Sequence, residues 1–514
     1  MSNPIERIVI VGGGSAGWLT ACVLASEYQF DHSIAITLVE SPSIQHIGVG
    51  EGTWPSMKQT LARIGISEND FLNHCQASFK QGSQFINWGC GRTPDHYHHP
   101  FTPPATQSER NTAAFWQPYQ QTHSFAEFFS IQPKVIEQGL APKQISTPEY
   151  AFIANYGYHL DAGKFVQMLT EHGKRKLNIH HLLDDIVEIQ SQPGSDEIAA
   201  VVGQRHGAIS GDLFIDCTGF RSLLLGQHYG IDFIEQDSVL FNDRAIAAQV
   251  PYPLPDAPIA SATLSTAQEA GWVWDIGLQN RRGVGYVYSS SHSNESQAEQ
   301  VLSQYIKQSG VSEVPEFRSI SIRPGYRERF WHKNCVAVGM AAGFIEPLEA
   351  SALVMVEMAA QYLAEQLPQN QSAMPLVASH YNDCFTRRWQ QIMEFLKLHY
   401  VLSNRTDTQY WRDNKSTDSI PDTLQEKLTL WQTSCPSHYD FGYIQELFPA
   451  ASYQYIYYGM GGQTRFRPTA SLQEQHQAMQ QRLRDNEVKS RQWLSRLPSN
   501  RQLLNQIQAQ GLAT

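Results

Sequence analysis

The first forty residues limit the possible folds of this chain more than any other stretch. An apolar run, Arg7-Ile8-Val9-Ile10-Val11, reads as a buried strand and leads into Gly12-Gly13-Gly14-Ser15-Ala16-Gly17. The helix-compatible Trp18-Leu19-Thr20-Ala21-Cys22-Val23-Leu24-Ala25 follows, and a second apolar strand over 34–39 ends at Glu40. Strand, glycine turn, helix and strand with a terminal acid make a βαβ unit carrying the dinucleotide fingerprint. Gly12, Gly14 and Gly17 permit the tight turn and close approach of a pyrophosphate, Ser15 and Ala16 open the helix, and Glu40 can accept from a ribose hydroxyl.

Later strand–glycine turns occur at Asp216-Cys217-Thr218-Gly219 and at Val338-Gly339-Met340-Ala341-Ala342-Gly343. One N-terminal fingerprint with two such turns is the layout of an FAD-binding module. A second GxGxxG for a nicotinamide nucleotide is missing, since Gly48-Val49-Gly50-Glu51-Gly52 has the wrong spacing and follows no helix-leading strand. Reduced flavin is therefore expected from a separate source. Residues 90–150, rich in Pro, His, Thr and Gln, read as an insertion of long loops. The α/β pattern returns over 151–225. An antiparallel sheet is expected over about 240–330, with Arg282-Gly283-Val284-Gly285-Tyr286-Val287-Tyr288-Ser289 its clearest strand. The expected fold is α/β: an FAD-binding Rossmann-type (glutathione-reductase-like) module over 1–370 that includes the loops and sheet. A mainly helical C-terminal region over 371–514 is expected to cover the substrate site.

A formal net charge of −11 argues against nucleic acid or an anionic membrane as partner. No apolar stretch approaches membrane-spanning length, and the N-terminus runs straight into a strand, so a soluble, cytoplasmic protein is expected. The seven cysteines form no CxxC and read as reduced, mostly buried thiols. His96, His98 and His99 in Asp95-His96-Tyr97-His98-His99 could ligate a metal ion. No carboxylate or cysteine in the sequence completes a recognisable set, so a histidine-lined loop without metal is the expectation.

The run Glu346-Pro347-Leu348-Glu349-Ala350-Ser351 combines two carboxylates with the expected start of a helix. A helix start offers unpartnered N–H groups and a partial positive charge, which can hold a small anion. Beside a flavin, that combination points to chemistry that consumes an anion such as halide.

Across residues 8 to about 412 the chain resembles the flavin-dependent halogenases, the tryptophan halogenase family. The motifs are Gly12–Gly17 with Trp18, Gly48-Val49-Gly50-Glu51-Gly52-Thr53-Trp54-Pro55, Phe79-Lys80-Gln81-Gly82, Asp216-Cys217-Thr218-Gly219-Phe220, Trp272-Val273-Trp274-Asp275-Ile276, Gly285-Tyr286-Val287-Tyr288-Ser289-Ser290 and Glu346-Pro347-Leu348-Glu349. The resemblance implies that FADH2, O2 and halide form a hypohalous acid, which a lysine directs to an aromatic substrate of indole type. Lys80 matches that lysine and Glu349 the active-site glutamate. Backbone groups of Ser351 and Ala352 fall where the family holds halide. Gly50, Trp272, Trp274, Gly339, Pro347 and Leu348 fall at flavin positions, and His99 and Phe101 at the substrate side. A separate NAD(P)H-dependent flavin reductase is the implied partner, and a homodimer is allowed. A flavin aromatic monooxygenase and a non-catalytic FAD-binding protein are the alternatives.

Three departures stand out. Gly277 replaces the usual proline, which should loosen that turn and favour the more readily oxidised bromide. Met340 replaces a polar residue, and Ala350 replaces the serine of the tryptophan-specific members. Tyr455, Tyr457 and Tyr458 are candidates by type alone for gripping the amino acid part of free tryptophan. Together these shift the expectation from free tryptophan toward indole or another electron-rich ring.

Overall fold

The computed structural model describes residues 3–44, 50–105, 109–442 and 447–513. Gly48 and Val49 of the second glycine motif lie outside the described residues. The chain divides into two compact units, each assembled from three stretches: 1–76, 160–236 and 323–389 in the first, and 77–159, 237–322 and 390–514 in the second.

The first unit is built on the βαβ start. Strand Arg7–Val11 pairs in parallel with Ala35–Glu40 on one side and with Leu213–Asp216 on the other. His180–Leu183 and Cys335–Ala337 extend this parallel sheet, and the short antiparallel strand Trp331–His332 closes one edge. Helix Ser15–Glu27 crosses between the first two strands, with Gly17 through Ser26 all buried. A helix apolar all round must be covered all round, and Ala162–Lys176 and Ser351–Glu365 pack against it. Three hydrogen bonds stitch the ends of the strands together: Gly12 N to Val39 O at 2.9 Å, Cys217 N to Val11 O at 2.8 Å, and Val338 N to Asp216 O at 3.0 Å. The three glycine turns read from the sequence thus gather at one carboxyl edge of one sheet, the edge where open parallel sheets bind ligands.

The second unit is a seven-stranded sheet in the order Arg318–Ser321, Arg244–Pro251, Arg281–Tyr288, Gly271–Gly277, Thr263–Ala267, Gly82–Ile86, His96–Pro100. All pairings are antiparallel except that of Thr263–Ala267 with Gly82–Ile86. Helix Glu295–Gln308 covers one face through Ala298, Leu302 and Ile306, which pack among Ile246, Val273, Val284 and Tyr286. The C-terminal helices Asp422–Trp431, Ala450–Gly459, Ala470–Leu494 and Asn500–Gln510 belong to this unit.

Two expectations need correction. Residues 90–150 are not all loop: His96–Pro100 is an edge strand, and Thr112–Trp116, Phe125–Phe129 and Gln132–Glu137 are short helices. His96 and His98 take one face of that strand and Tyr97 and His99 the other, and the polarity of imidazole hides the pattern from a hydrophobic reading. Gly277 does not loosen a turn. It ends the strand Gly271–Gly277, pairs with Arg282, and its carbonyl accepts from Ser78 Oγ at 2.5 Å. A Cβ there would meet Ile259 and the Tyr252 hydroxyl at 2.9 and 3.0 Å, so the position is filled by its neighbours. The reason for favouring bromide goes with that looseness.

Trp274 lies over Gly285 on the neighbouring strand, where an added Cβ would meet the indole ring at 2.1 Å and the Ile246 carbonyl oxygen at 2.7 Å. The second of these neighbours is backbone and has little room to give. Gly285→Ala should therefore destabilise the protein by about 1–3 kcal/mol, read as a lower urea midpoint; an unchanged midpoint would show that this sheet repacks freely.

Candidate active site

At the carboxyl edge of the parallel sheet lies a cavity of about 540 Å³. Its wall includes Gly12, Gly14, Ser15, Ala16, Glu40, Gly339, Pro347, Ser351 and Ala352, nine of the residues read from the sequence. Gly12 has φ +118°, and a Cβ there would meet the Cys217 carbonyl oxygen at 2.2 Å. At Gly14 a Cβ would meet nothing within 4 Å, so the backbone faces open space. Helix Ser15–Glu27 has Gly14 as its N-cap and no side-chain cap, which leaves the first-turn amides available to an anion. Glu40 is already oriented: its Oε2 accepts from Trp18 Nε1 at 3.3 Å and lies 2.9 Å from His181 Nε2. This cradle fits the pyrophosphate and ribose of a dinucleotide such as FAD.

The remaining sequence-read positions of this unit lie in supporting layers. Gly17 packs against the Gly12 carbonyl, where a Cβ would come within 1.8 Å. Gly50 is buried in the short strand Gly50–Gly52, and its neighbour Glu51 lines the cavity, where burial pushes its carboxyl up to about 7. Leu348 is buried beneath the wall.

The 346–351 run contributes Glu346, Pro347 and Ser351 to the same wall. Glu349 (φ +67°) and Ala350 (φ +55°) occupy the left-handed region in succession, and helix Ser351–Glu365 begins directly after them. Two such non-glycine residues cost of order 1–3 kcal/mol each. The surroundings hold them there: Trp54 Nε1 donates to the Glu349 carbonyl at 2.8 Å, and Ala350 N to the Pro347 carbonyl at 2.9 Å. The N-cap is Ala350, which supplies no side-chain cap to the first-turn amides, and Ser351 and Ala352 line the cavity. The Glu349 side chain is buried.

Asp216 organises the middle turn. Its carboxylate accepts from Thr218 N and Oγ1 at 3.0 and 2.6 Å and from the amides of Leu224 and Leu225, both at 2.9 Å. These bonds hold Cys217, Thr218 and Gly219 in the cavity wall. Asp184, Asp185 and Arg221 also line the cavity and carried no sequence signal of their own.

Within the second unit, Lys80 ends the strand Ser78–Lys80, which pairs antiparallel with residues 157–159. Lys80 is 1% exposed, and its Nζ lies 5.4 Å from the centre of the Phe101 ring. His159, on the paired strand, is pushed well below the ordinary imidazole range, first by burial and then by the positive charge of Lys80. His99 is buried, with Nε2 2.9 Å from Ser452 Oγ and its ring 5.6 Å from that of Phe395. Asn500 Nδ2 donates to the Phe79 carbonyl at 3.2 Å, so C-terminal segments close over the lysine strand. Trp272 and Trp274 are buried in the sheet of this unit, their rings 6.4 Å apart and edge-to-face. The three candidate tyrosines have engaged hydroxyls: Tyr455 donates to the Thr102 carbonyl at 2.7 Å, Tyr457 to the Gln463 carbonyl at 3.0 Å, and Tyr458 pairs with Thr464 Oγ1 at 2.8 Å.

A glycine-lined cradle at the carboxyl edge of a parallel sheet, closed by an uncapped helix start and an oriented terminal acid, defines the class of a dinucleotide-binding protein of the FAD type. The family model for tryptophan halogenase matches residues 7–475. Tryptophan 6-halogenase SttH of Streptomyces toxytricini is 32% identical over 492 residues, covering 91% of this chain and 92% of that protein. The tryptophan halogenase of Shewanella frigidimarina, a crystal structure, is 49% identical with a TM-score of 0.94, covering 99% of this chain and 98% of that one. BrvH, a flavin-dependent halogenase from a Brevundimonas species, gives a TM-score of 0.86 at 29% identity, covering 98% and 99% of the two chains. The chain belongs to the tryptophan halogenase family and is a flavin-dependent halogenase.

Two stability measurements probe the helix Ser351–Glu365 and its start. Replacing Ala350 by glycine removes a left-handed penalty and should stabilise the protein by about 1 kcal/mol, seen as a higher melting temperature. Glu357, on the same helix, has its carboxyl pushed up to about 7 by burial, against the Thr60 and Ser56 hydroxyl bonds that lower it. The folded state therefore holds this proton more tightly than the unfolded chain. Its contribution is fully present below the ordinary value of 4.5, is lost as pH rises toward about 7, and stays lost above that. Glu357→Gln should be more stable than wild type by on the order of 1–3 kcal/mol at pH 8 and close to it at pH 4.5, with melting curves across that range as the check.

Proposed function

We propose that this enzyme uses reduced FAD, O2 and halide to generate hypohalous acid, and that Lys80 presents it to an electron-rich aromatic ring of indole type. Gly12, Gly14, Ser15 and Ala16 would hold the pyrophosphate, Glu40 a ribose hydroxyl, and the backbone amides at Ser351 and Ala352 a halide. The bound reduced flavin supplies the two electrons that activate O2 for halide oxidation. A separate NAD(P)H-dependent flavin reductase is the proposed source of FADH2, because the chain carries only one dinucleotide fingerprint.

The observation that carries the reading is the burial of Lys80 with its ammonium over Phe101. A surface lysine would be hydrated and would hold an incoming neutral acid weakly. A buried ammonium donates hydrogen bonds in a low-dielectric setting, where they are worth more, and polarises the O–halogen bond. The ring attacks the halogen and the O–halogen bond breaks; the displaced ring proton is taken up by a carboxylate, the role proposed for Glu349, and passed to the released hydroxide, which leaves as water. The names of relatives about one-third identical give tryptophan in one case and 7-chloro-L-tryptophan in another as what they halogenate. The engaged hydroxyls of Tyr455, Tyr457 and Tyr458 favour recognition of the indole ring over a grip on a free amino acid by these residues.

The test supplies FADH2 through a flavin reductase, with bromide or chloride and either indole or tryptophan, and identifies products by mass. Wild type should yield halogenated ring, and Lys80→Ala should lose on the order of 100-fold or more of it while still binding FAD. Hydroxylated product formed equally well without Lys80 would replace this reading with a monooxygenase.

A further inference from the structure

We propose that His96, His98 and Glu137 form a binding site for one divalent transition-metal ion of the zinc class. Strand His96–Pro100 alternates its side chains, so His96 and His98 share a face while Tyr97 and His99 take the other. Their imidazole rings lie 5.3 Å apart and nearly perpendicular. Glu137, the last residue of helix Gln132–Glu137, brings its Oε1 to 3.2 Å from His96 Nε2 and 3.8 Å from His98 Nε2. One donor atom from each of the three residues lies within 4.8 Å of the others. Two donors about 2.0–2.1 Å from a zinc ion at roughly tetrahedral or octahedral angles stand about 3.0–3.5 Å apart, so small ring rotations would complete the set.

A plain ion pair between His96 and Glu137 is the simpler account, but it leaves one atom unexplained. His98 is 2% exposed, and its Nε2 has no hydrogen-bond partner. A buried polar nitrogen without a partner costs of order 1–3 kcal/mol, and this one points at the carboxylate that His96 already engages. A metal ion between the three satisfies all of them at once. Two neutral imidazoles and a carboxylate are the donor set of three-ligand zinc sites, which leave further positions to water. His96 and Glu137 are part-exposed, which gives the ion a way in. Glu127 lies near enough to be felt but is committed to its own helix cap, accepting from Ser124 N and Oγ at 3.0 and 2.6 Å. Among the described residues, the Arg92 charge acts on His96 against a metal.

The ion would clamp the edge strand to the 132–137 helix from the face opposite His99, whose ring meets Ser452. It would thereby act on stability and on the position of the strand that carries His99 toward Phe101. The inference stands independently of the proposed reaction.

The experiment uses full-length protein stripped with a chelator and titrated with Zn²⁺ by calorimetry, with Co²⁺ absorption as a spectroscopic reporter. Wild type should take up one equivalent at micromolar concentration, show a Co²⁺ ligand-field band of imidazole–carboxylate type, and melt at higher temperature with Zn²⁺. His96→Ala and Glu137→Gln, both at part-exposed positions, should each bind about tenfold more weakly or worse with an unchanged circular dichroism spectrum. Equal binding by both variants would place any bound zinc at the cysteines or other histidines and overturn the proposal, as would a wild type that takes up none.

Discussion

The close approach of backbone to backbone at the first glycine turn is the constraint on which the cofactor-binding unit depends. A Cβ at Gly17 would lie 1.8 Å from the Gly12 carbonyl oxygen, and a Cβ at Gly12 would lie 2.2 Å from that of Cys217. Without side chains at these points, the first helix can start against the strand that feeds it, and the 213–216 strand can end beside both. The cavity, the uncapped helix start and the position of Glu40 follow from that packing. The second and third glycine turns join the same edge through main-chain hydrogen bonds to residues of the first two turns.

The proposed roles fall differently on the two units. The first is backbone chemistry: amides at two helix starts and a cradle that any side chain would fill. Its most strained segment, Glu349-Ala350, stands immediately before the helix proposed to hold halide, where an over-determined main chain keeps the amides aimed. The second unit would act through side chains, with Lys80, His99 and His159 on strands, Phe101 directly after one, and C-terminal residues packed against them. A buried charge is costly unless its surroundings are arranged for it, and Lys80 gains its special character from that arrangement.

Legibility followed sequence distance. The opening βαβ unit, the three glycine turns and the antiparallel strand near 281–288 could be read because each is local and periodic. The His96–Pro100 strand was misread as loop because alternation of imidazoles does not register as hydrophobic alternation. The carboxylate that the histidine cluster lacked is supplied by Glu137, some forty positions on, at the end of a helix too short to leave a strong periodic signal. Gly277 suggested a loose turn, and the fold instead packs Ile259 and Tyr252 against it.

By itself, the sequence determined the α/β frame, the dinucleotide fingerprint and the membership of the halogenase family, because these rest on residue types at short, conformationally meaningful spacings. The packing of the elements settled which of the named residues line the cavity and which lie behind it. It also decided that Lys80 is buried rather than a surface charge, and that the grip on the Glu349 carbonyl comes from Trp54, 295 positions earlier. Burial and long-range hydrogen bonds are properties of distances between elements, and no local pattern of residues encodes them.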